Sequence, residues 1–196
     1  MQVIDLHTHG MSGYDTRSTD IAHLLRIAEL HGQLGTTQLV FSLYPAPIPV
    51  MRASLALIRE AIAMQTDQSA TSAHCPMARI VGAHLEGPFL NPSKAGALNS
   101  MAFLLPDEKL FRQLIDGFED LILIMTIAPE LDRALALIRL ALDYGIRVNM
   151  GHSNASYAEA AAGFRAGAKG ITHLFNAMSG FHHREPGLAG FGLMHS

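Results

Sequence analysis

The chain has 196 residues, 49% of them hydrophobic and 16% charged, with a net charge of −3 and a mean hydropathy of +0.21. That apolar fraction excludes a disordered chain, and the near-neutral charge gives no electrostatic reason to expect nucleic acid or an anionic membrane as partner. A single cysteine, Cys75, excludes a disulfide framework and suits a reducing compartment. No basic start leads into an apolar core, and no stretch of about 18 apolar residues is present. The expectation is one cytoplasmic α/β domain, since a chain of this size can bury a single core.

In chain order, Val3-Ile4-Asp5-Leu6 reads as a buried strand that leaves the core at His7-Thr8-His9-Gly10. Ser18-Thr19-Asp20 offers an N-cap to a helix carrying Ile21, Leu24, Leu25 and Ala28, ended by Gly32 or Gly35. Thr36 to Phe41 is the second strand, rich in branched residues. Past Pro45, Pro47 and Pro49, a second helix is marked by Leu55, Ile58 and Ile62, and Gln65 to Pro76 reads as a loop. Ile80 to Glu86 is the third strand, broken by Gly87-Pro88. Pro106 suits the first turn of a helix carrying Leu110, Phe111, Leu114 and Ile115.

Leu121 to Ile127 is a continuous apolar strand, and Leu131, Leu135, Ile138 and Leu142 line a helix stopped by Gly145. Ile146 to Met150 is the fifth strand. A short helix follows through Tyr157, Ala161 and Phe164 to Gly167, then a sixth strand over Gly170 to His173. Apolar strands separated by amphipathic helices imply a parallel sheet buried on both faces. Six such units point to a TIM-type (β/α)₈ barrel, which takes about 250 residues and rarely fewer than about 200. Residues 1–196 are therefore expected to be a partial barrel, strands one to six, in a chain that stops early.

Active sites of such barrels gather at the C-terminal ends of the strands. Four strand ends here carry a potential metal ligand: His7 and His9, then Glu86, His152 and His173. Residues i and i+2 of a strand share a face, so His7 and His9 can both point into the barrel mouth. A lone histidine at a strand end is often just a satisfied polar residue. Five candidates at four equivalent ends make a metal site the better reading. Glu86 could cap a neighbouring helix, but a carboxylate leaving an apolar strand is costly to bury unless paired or metal-bound. Imidazole and carboxylate together suit zinc, iron or another first-row divalent ion.

Five segments carry a resemblance: Ile4 to Gly10, His84 to Leu90, Met150-Gly151-His152-Ser153 with Ala155, His173 to Met178, and Arg184-Glu185-Pro186-Gly187. Together they resemble the N-acetylglucosamine-6-phosphate deacetylase family of metal-dependent amidohydrolases. His-Leu-Glu-Gly-Pro and His-Leu-Phe-Asn-Ala-Met are quite specific to it, whereas His-x-His is shared by the wider superfamily. The resemblance implies that Glu86, His152 and His173 hold the main ion, with His7 and His9 added in members that bind two. It implies that Ala97, Asn176, Ala177 and Arg184 line the sugar phosphate. Arg184 would reach a substrate in a neighbouring subunit of a homodimer, since a guanidinium recognises phosphate bidentately; otherwise it is an ordinary surface arginine. His182 and His183 read as exposed loop residues beside it.

The implied activity is hydrolysis of the N-acetyl group of N-acetylglucosamine 6-phosphate to glucosamine 6-phosphate and acetate, a step of amino-sugar breakdown. Two departures bear on it. Where the family has Gly-x-His-Asn, this sequence reads Gly96-Ala97-Leu98-Asn99, and leucine cannot polarise a carbonyl. The family's catalytic aspartate falls at the last barrel strand, beyond Ser196, and its small β-sandwich domain, built from both termini, is expected to be absent at the N-terminal end, where Met1 lies just before strand one. Two other readings stay open: an amidohydrolase acting on a related amide or amino sugar, and a non-catalytic metal-binding fragment.

Overall fold

The computed structural model describes residues 2–69 and 76–195. Cys75 lies outside them, as do residues 70–75 of the expected loop. Strand β1 (Ile4–Thr8) is followed by a small antiparallel hairpin, β2 (Gly10–Met11) and β3 (Tyr14–Asp15), and by helix α1 (Ile21–Gln33). Then come β4 (Gln38–Leu43), α2 (Ile48–Ser69), β5 (Arg79–Glu86), α3 (Glu108–Ile115), β6 (Ile122–Ile127) and α4 (Ala134–Asp143). The order closes with β7 (Arg147–Met150), α5 (Tyr157–Ala166), β8 (Gly170–Ile171) and α6 (Gly187–Met194).

Six strands make one parallel sheet in the order β1-β4-β5-β6-β7-β8. A doubly wound sheet reverses its order at a switch point. This sheet advances one strand at a time in a single direction, which is the winding of a (β/α)₈ barrel with six of its strands present. All C-terminal strand ends consequently lie at one mouth.

Helices and strands share one core. Leu24, Ile27 and Ala28 of α1, Leu55 and Ile58 of α2, and Leu137 and Ile138 of α4 pack on Phe41, Leu85, Met125 and Val148 of the sheet. Gly163 lets α5 sit close to β7, because a Cβ there would lie 2.7 Å from Met150 Sδ and 2.8 Å from Pro129 Cβ. Among the described residues, no helix is long and apolar enough to cross a membrane.

The expected elements are present, with four corrections. α2 runs on through Gln65 to Ser69 instead of ending in a loop. Gln65 holds it there: its Nε2–H donates to the Ala78 carbonyl (3.0 Å) and its Oε1 accepts from Ile80 N–H (2.9 Å). Pro106 stands outside α3, because the Asp107 carboxylate caps that helix through Leu110 N–H. Leu131 precedes α4, whose cap residue Arg133 is left-handed at φ 62°. The last strand stops at Ile171, since His173 turns left-handed at φ 36°.

Among the described residues β1 and β8 are each paired on one side only. β1 is therefore not the buried strand expected: with no neighbour on one side, its Ile4 and Leu6 are 48% and 53% exposed, and Phe175, Leu193 and Met194 are exposed near the opposite edge. Open edges and wet apolar surface favour association. Purified as these 196 residues, the chain is expected to sediment as a dimer or larger at micromolar concentration. A monomer with a sharp thermal transition would contradict this.

Candidate metal centre

Five residues converge at the mouth. His7 lies in β1 and His9 one residue past it; Glu86 ends β5; His152 and His173 lie two residues past β7 and β8. The Glu86 side chain is 2% exposed and ringed by imidazoles. Its Oε1 is 3.1 Å from His152 Nε2, 3.0 Å from His173 Nε2 and 3.5 Å from His7 Nε2. Its Oε2 is 2.8 Å from His9 Nε2. Four histidines from three strand ends thus aim the same ring nitrogen at one carboxylate.

The other ring nitrogens fix how those rings face. His152 Nδ1–H donates to the Lys94 carbonyl (2.9 Å) and His173 Nδ1–H to the Asn176 carbonyl (3.1 Å). A carbonyl only accepts, so in the neutral rings each Nε2 is a bare lone pair. The two Nε2 atoms are 3.1 Å apart, and both face Glu86 Oε1. Three acceptor atoms at such distances are reconciled only by positive charge among them, a proton or a cation. The ligand atoms of His7, Glu86 and His173 lie within 4.8 Å of one another. Nitrogen and carboxylate donors held this way, with His152 and His173 oriented by outer carbonyls, fit a first-row divalent cation.

The electrostatics follow from burial against pairing. Burial raises the Glu86 pKa, but hydrogen bonds with His152, His173 and His9 outweigh it and hold the carboxyl well below the usual range. Burial lowers His7, and its neighbours His9 and His173 add to that against Glu86. For His173 the burial effect is overcome by Glu86, and its pKa is raised. The pocket is built around one negative charge.

His7 Nδ1 lies 2.9 Å from Ser42 Oγ and 3.2 Å from His84 Nδ1. His84, not among the candidates that strand ends mark, thus joins the cluster through His7. It is 1% exposed, its pKa is pushed down to about 3 chiefly by burial, and its Nε2 is 2.7 Å from Thr126 Oγ1. The signal was there: His84 and Glu86 are two apart on one strand, the spacing that paired His7 with His9. His9 differs from the other ligand candidates. Among the described residues its Nδ1 is buried without a hydrogen-bond partner, and its ring stacks on Tyr44 at 3.9 Å. A cavity of about 310 Å³ opens beside it, walled by Tyr44, Asp15 and the hairpin.

The remaining candidates lie around the rim. Ala97 is exposed, and a Cβ on its neighbour Gly96 would stand 3.1 Å from Ala177 Cβ and 3.7 Å from the His152 ring. That places the Gly96-Ala97-Leu98 loop against both the cluster and the Asn176-Ala177 loop. Asn176 is exposed; Ala177, half-buried, has φ 51°, one of several left-handed residues at this mouth. Arg184 is not brought to the cluster: it is exposed, and its Nε–H donates to His183 Nε2 at 3.3 Å.

No family model matches the chain. It is 36% identical to the N-acetylglucosamine-6-phosphate deacetylase of Vibrio furnissii over 195 residues, 98% of this chain and 46% of that protein. It is 33% identical to the N-acetylgalactosamine-6-phosphate deacetylase of Escherichia coli O157:H7 over 190 residues, 97% of this chain and 48% of that one. Among solved structures, N-acetyl-D-glucosamine-6-phosphate deacetylase from Mycobacterium smegmatis superposes with a TM-score of 0.82 at 32% identity, over 96% of this chain and 46% of that chain. A mutant of that enzyme in complex with N-acetyl-D-glucosamine-6-phosphate matches equally well. The chain spans about half the length of the curated relatives it matches. In sequence and in fold, it is a relative of the N-acetylglucosamine-6-phosphate deacetylase family over nearly all of its own length.

Proposed function

We propose that the protein carrying this chain hydrolyses the N-acetyl group of N-acetylglucosamine 6-phosphate, giving glucosamine 6-phosphate and acetate. The observation that supports this most is Glu86, buried and faced by the Nε2 atoms of His7, His9, His152 and His173. Glu86, His152 and His173 would hold one divalent ion, zinc or iron, and His7 with His9 would help hold a second. When bound, such an ion supplies Lewis acidity, polarising the amide carbonyl and lowering the pKa of water towards neutrality.

The chain's own residues do the rest. Lys94 and Asn176 carbonyls keep the His152 and His173 lone pairs turned inward. Asn176, Ala177 and Ala97 line the rim where a sugar phosphate would lie. Arg184 would meet the phosphate bidentately once its loop or a second subunit brings it there, which is the basis for proposing a homodimer. The general acid/base would be an aspartate by the family's pattern, and none of the present residues is assigned that role. A cytoplasmic location accords with this substrate. N-acetylgalactosamine 6-phosphate is the competing substrate, because the relative from Escherichia coli O157:H7 is named for it.

Glu86→Gln removes the charge that offsets the ion, and metal analysis of the purified variant is expected to find the site empty. Full occupancy would overturn the assignment.

Leu98 supplies the second test, in the full-length enzyme. If the family's missing imidazole is uncompensated, Leu98→His should raise the deacetylation rate about 10²-fold, the scale of one lost oxyanion donor. If a second ion has replaced it, Leu98→His should change little while His7→Ala abolishes turnover. Neither effect appearing would refute this picture of the carbonyl site.

A further inference from the structure

We propose that Glu130, in the loop after β6, is a positioning residue that holds His152 in its ligating orientation. The inference rests on the metal reading above. Glu130 is half-buried and, among the described residues, forms no ion pair, yet three donors converge on its carboxylate. Asn91 Nδ2–H donates to Oε1 (2.9 Å), the Asn154 backbone N–H to the same oxygen (2.6 Å), and Ser153 Oγ–H to Oε2 (2.7 Å).

Those donors lie on both sides of His152. Ser153 and Asn154 follow it directly, in a segment that must hold His152 at φ 46°, a conformation L-residues rarely adopt. Asn91 reaches it from the loop after β5: its backbone N–H donates to the His152 carbonyl at 3.0 Å. The Asn91 side chain also caps the turn Pro92–Lys94, accepting from Ser93 N–H at 2.9 Å. At the end of that turn stands the Lys94 carbonyl that accepts from His152 Nδ1–H. One carboxylate therefore fixes the backbone carrying the ring and, through Asn91, the carbonyl that sets its tautomer. Outer partners of this kind govern how a histidine meets a metal.

The test is Zn²⁺ affinity of the purified protein, measured by chelator competition, with visible absorption of the Co²⁺-loaded form as a second readout. Glu130→Ala removes all three acceptor contacts and is expected to weaken Zn²⁺ binding about 10–100-fold and to alter the Co²⁺ spectrum. Glu130→Gln keeps one oxygen for Asn91 and Asn154, so most of the affinity and the spectrum should return. Asn91→Ala cuts the same clamp from its other side and should weaken Zn²⁺ without touching Glu130.

Wild-type affinity and an unchanged spectrum in either alanine variant would overturn the proposal, even if thermal stability fell, because a purely structural residue lowers stability alone. That result leaves the metal reading standing. Failure of the unmutated protein to bind Zn²⁺ or Co²⁺ would overturn the metal reading and this proposal with it.

Discussion

The arrangement turns on a buried carboxylate. Glu86 ends an apolar strand with 2% of its side chain exposed, where an unpaired charge would be costly. Among the described residues no lysine or arginine pairs with it; imidazoles do, and they must arrive from three different strand ends, those of β1, β7 and β8. That requirement explains why the winding of the sheet matters. With strands in chain order, residues at positions 7, 86, 152 and 173 meet because each closes a separate strand at the same mouth. In a doubly wound sheet the same residues would lie on either side of a reversal in strand order, and the carboxylate would keep fewer partners.

Strands and loops divide the work. The strands set where each imidazole stands, and the loops set which nitrogen it offers. His152 and His173 both turn Nε2 inward because backbone carbonyls of Lys94 and Asn176 claim the other nitrogen. Those carbonyls belong to loops held in turn by their neighbours, as when Ser153 N–H donates to the Ala177 carbonyl at 3.1 Å. Left-handed backbone at His152, His173, Phe175 and Ala177 is concentrated where these rings are aimed at Glu86. Conformations of this kind persist when surrounding contacts over-determine them.

What was legible in the sequence follows from period and punctuation. Continuous apolar strands, Asp20 as a cap and Gly145 and Gly167 as stops announce themselves locally, and the five ligand candidates stand at strand ends that alternation already marks. The hairpin at Gly10–Asp15 has strands of two residues, too short to show any period. Helix α6, reading Gly-Leu-Ala-Gly-Phe-Gly-Leu-Met, has no polar face to betray a helix. Gln65 sits in composition typical of a loop, and its bonds to Ala78 and Ile80 come from beyond the segment, where local composition does not show them. Glu130 reads as an ordinary loop carboxylate for the same reason: its three donors come from segments distant in sequence.

Leu98 shows why loop and side chain should be judged separately. The loop after β5 contributes to the centre through its backbone: the Lys94 carbonyl orients His152, and Gly96 lets the chain pass within 3.7 Å of that ring at its Cβ position. Neither contact involves the side chain at 98. Leu98 itself is half-buried, and its N–H donates to the Ala95 carbonyl, closing a local turn that other side chains at this position would also permit. Replacing an imidazole by leucine there removes a hydrogen-bond donor from the rim while leaving intact the groups that orient the ligands. The backbone contacts that orient the His152 ring and the side chain at 98 are thus separable in this loop, so the departure at 98 leaves the histidine–carboxylate cluster as it stands.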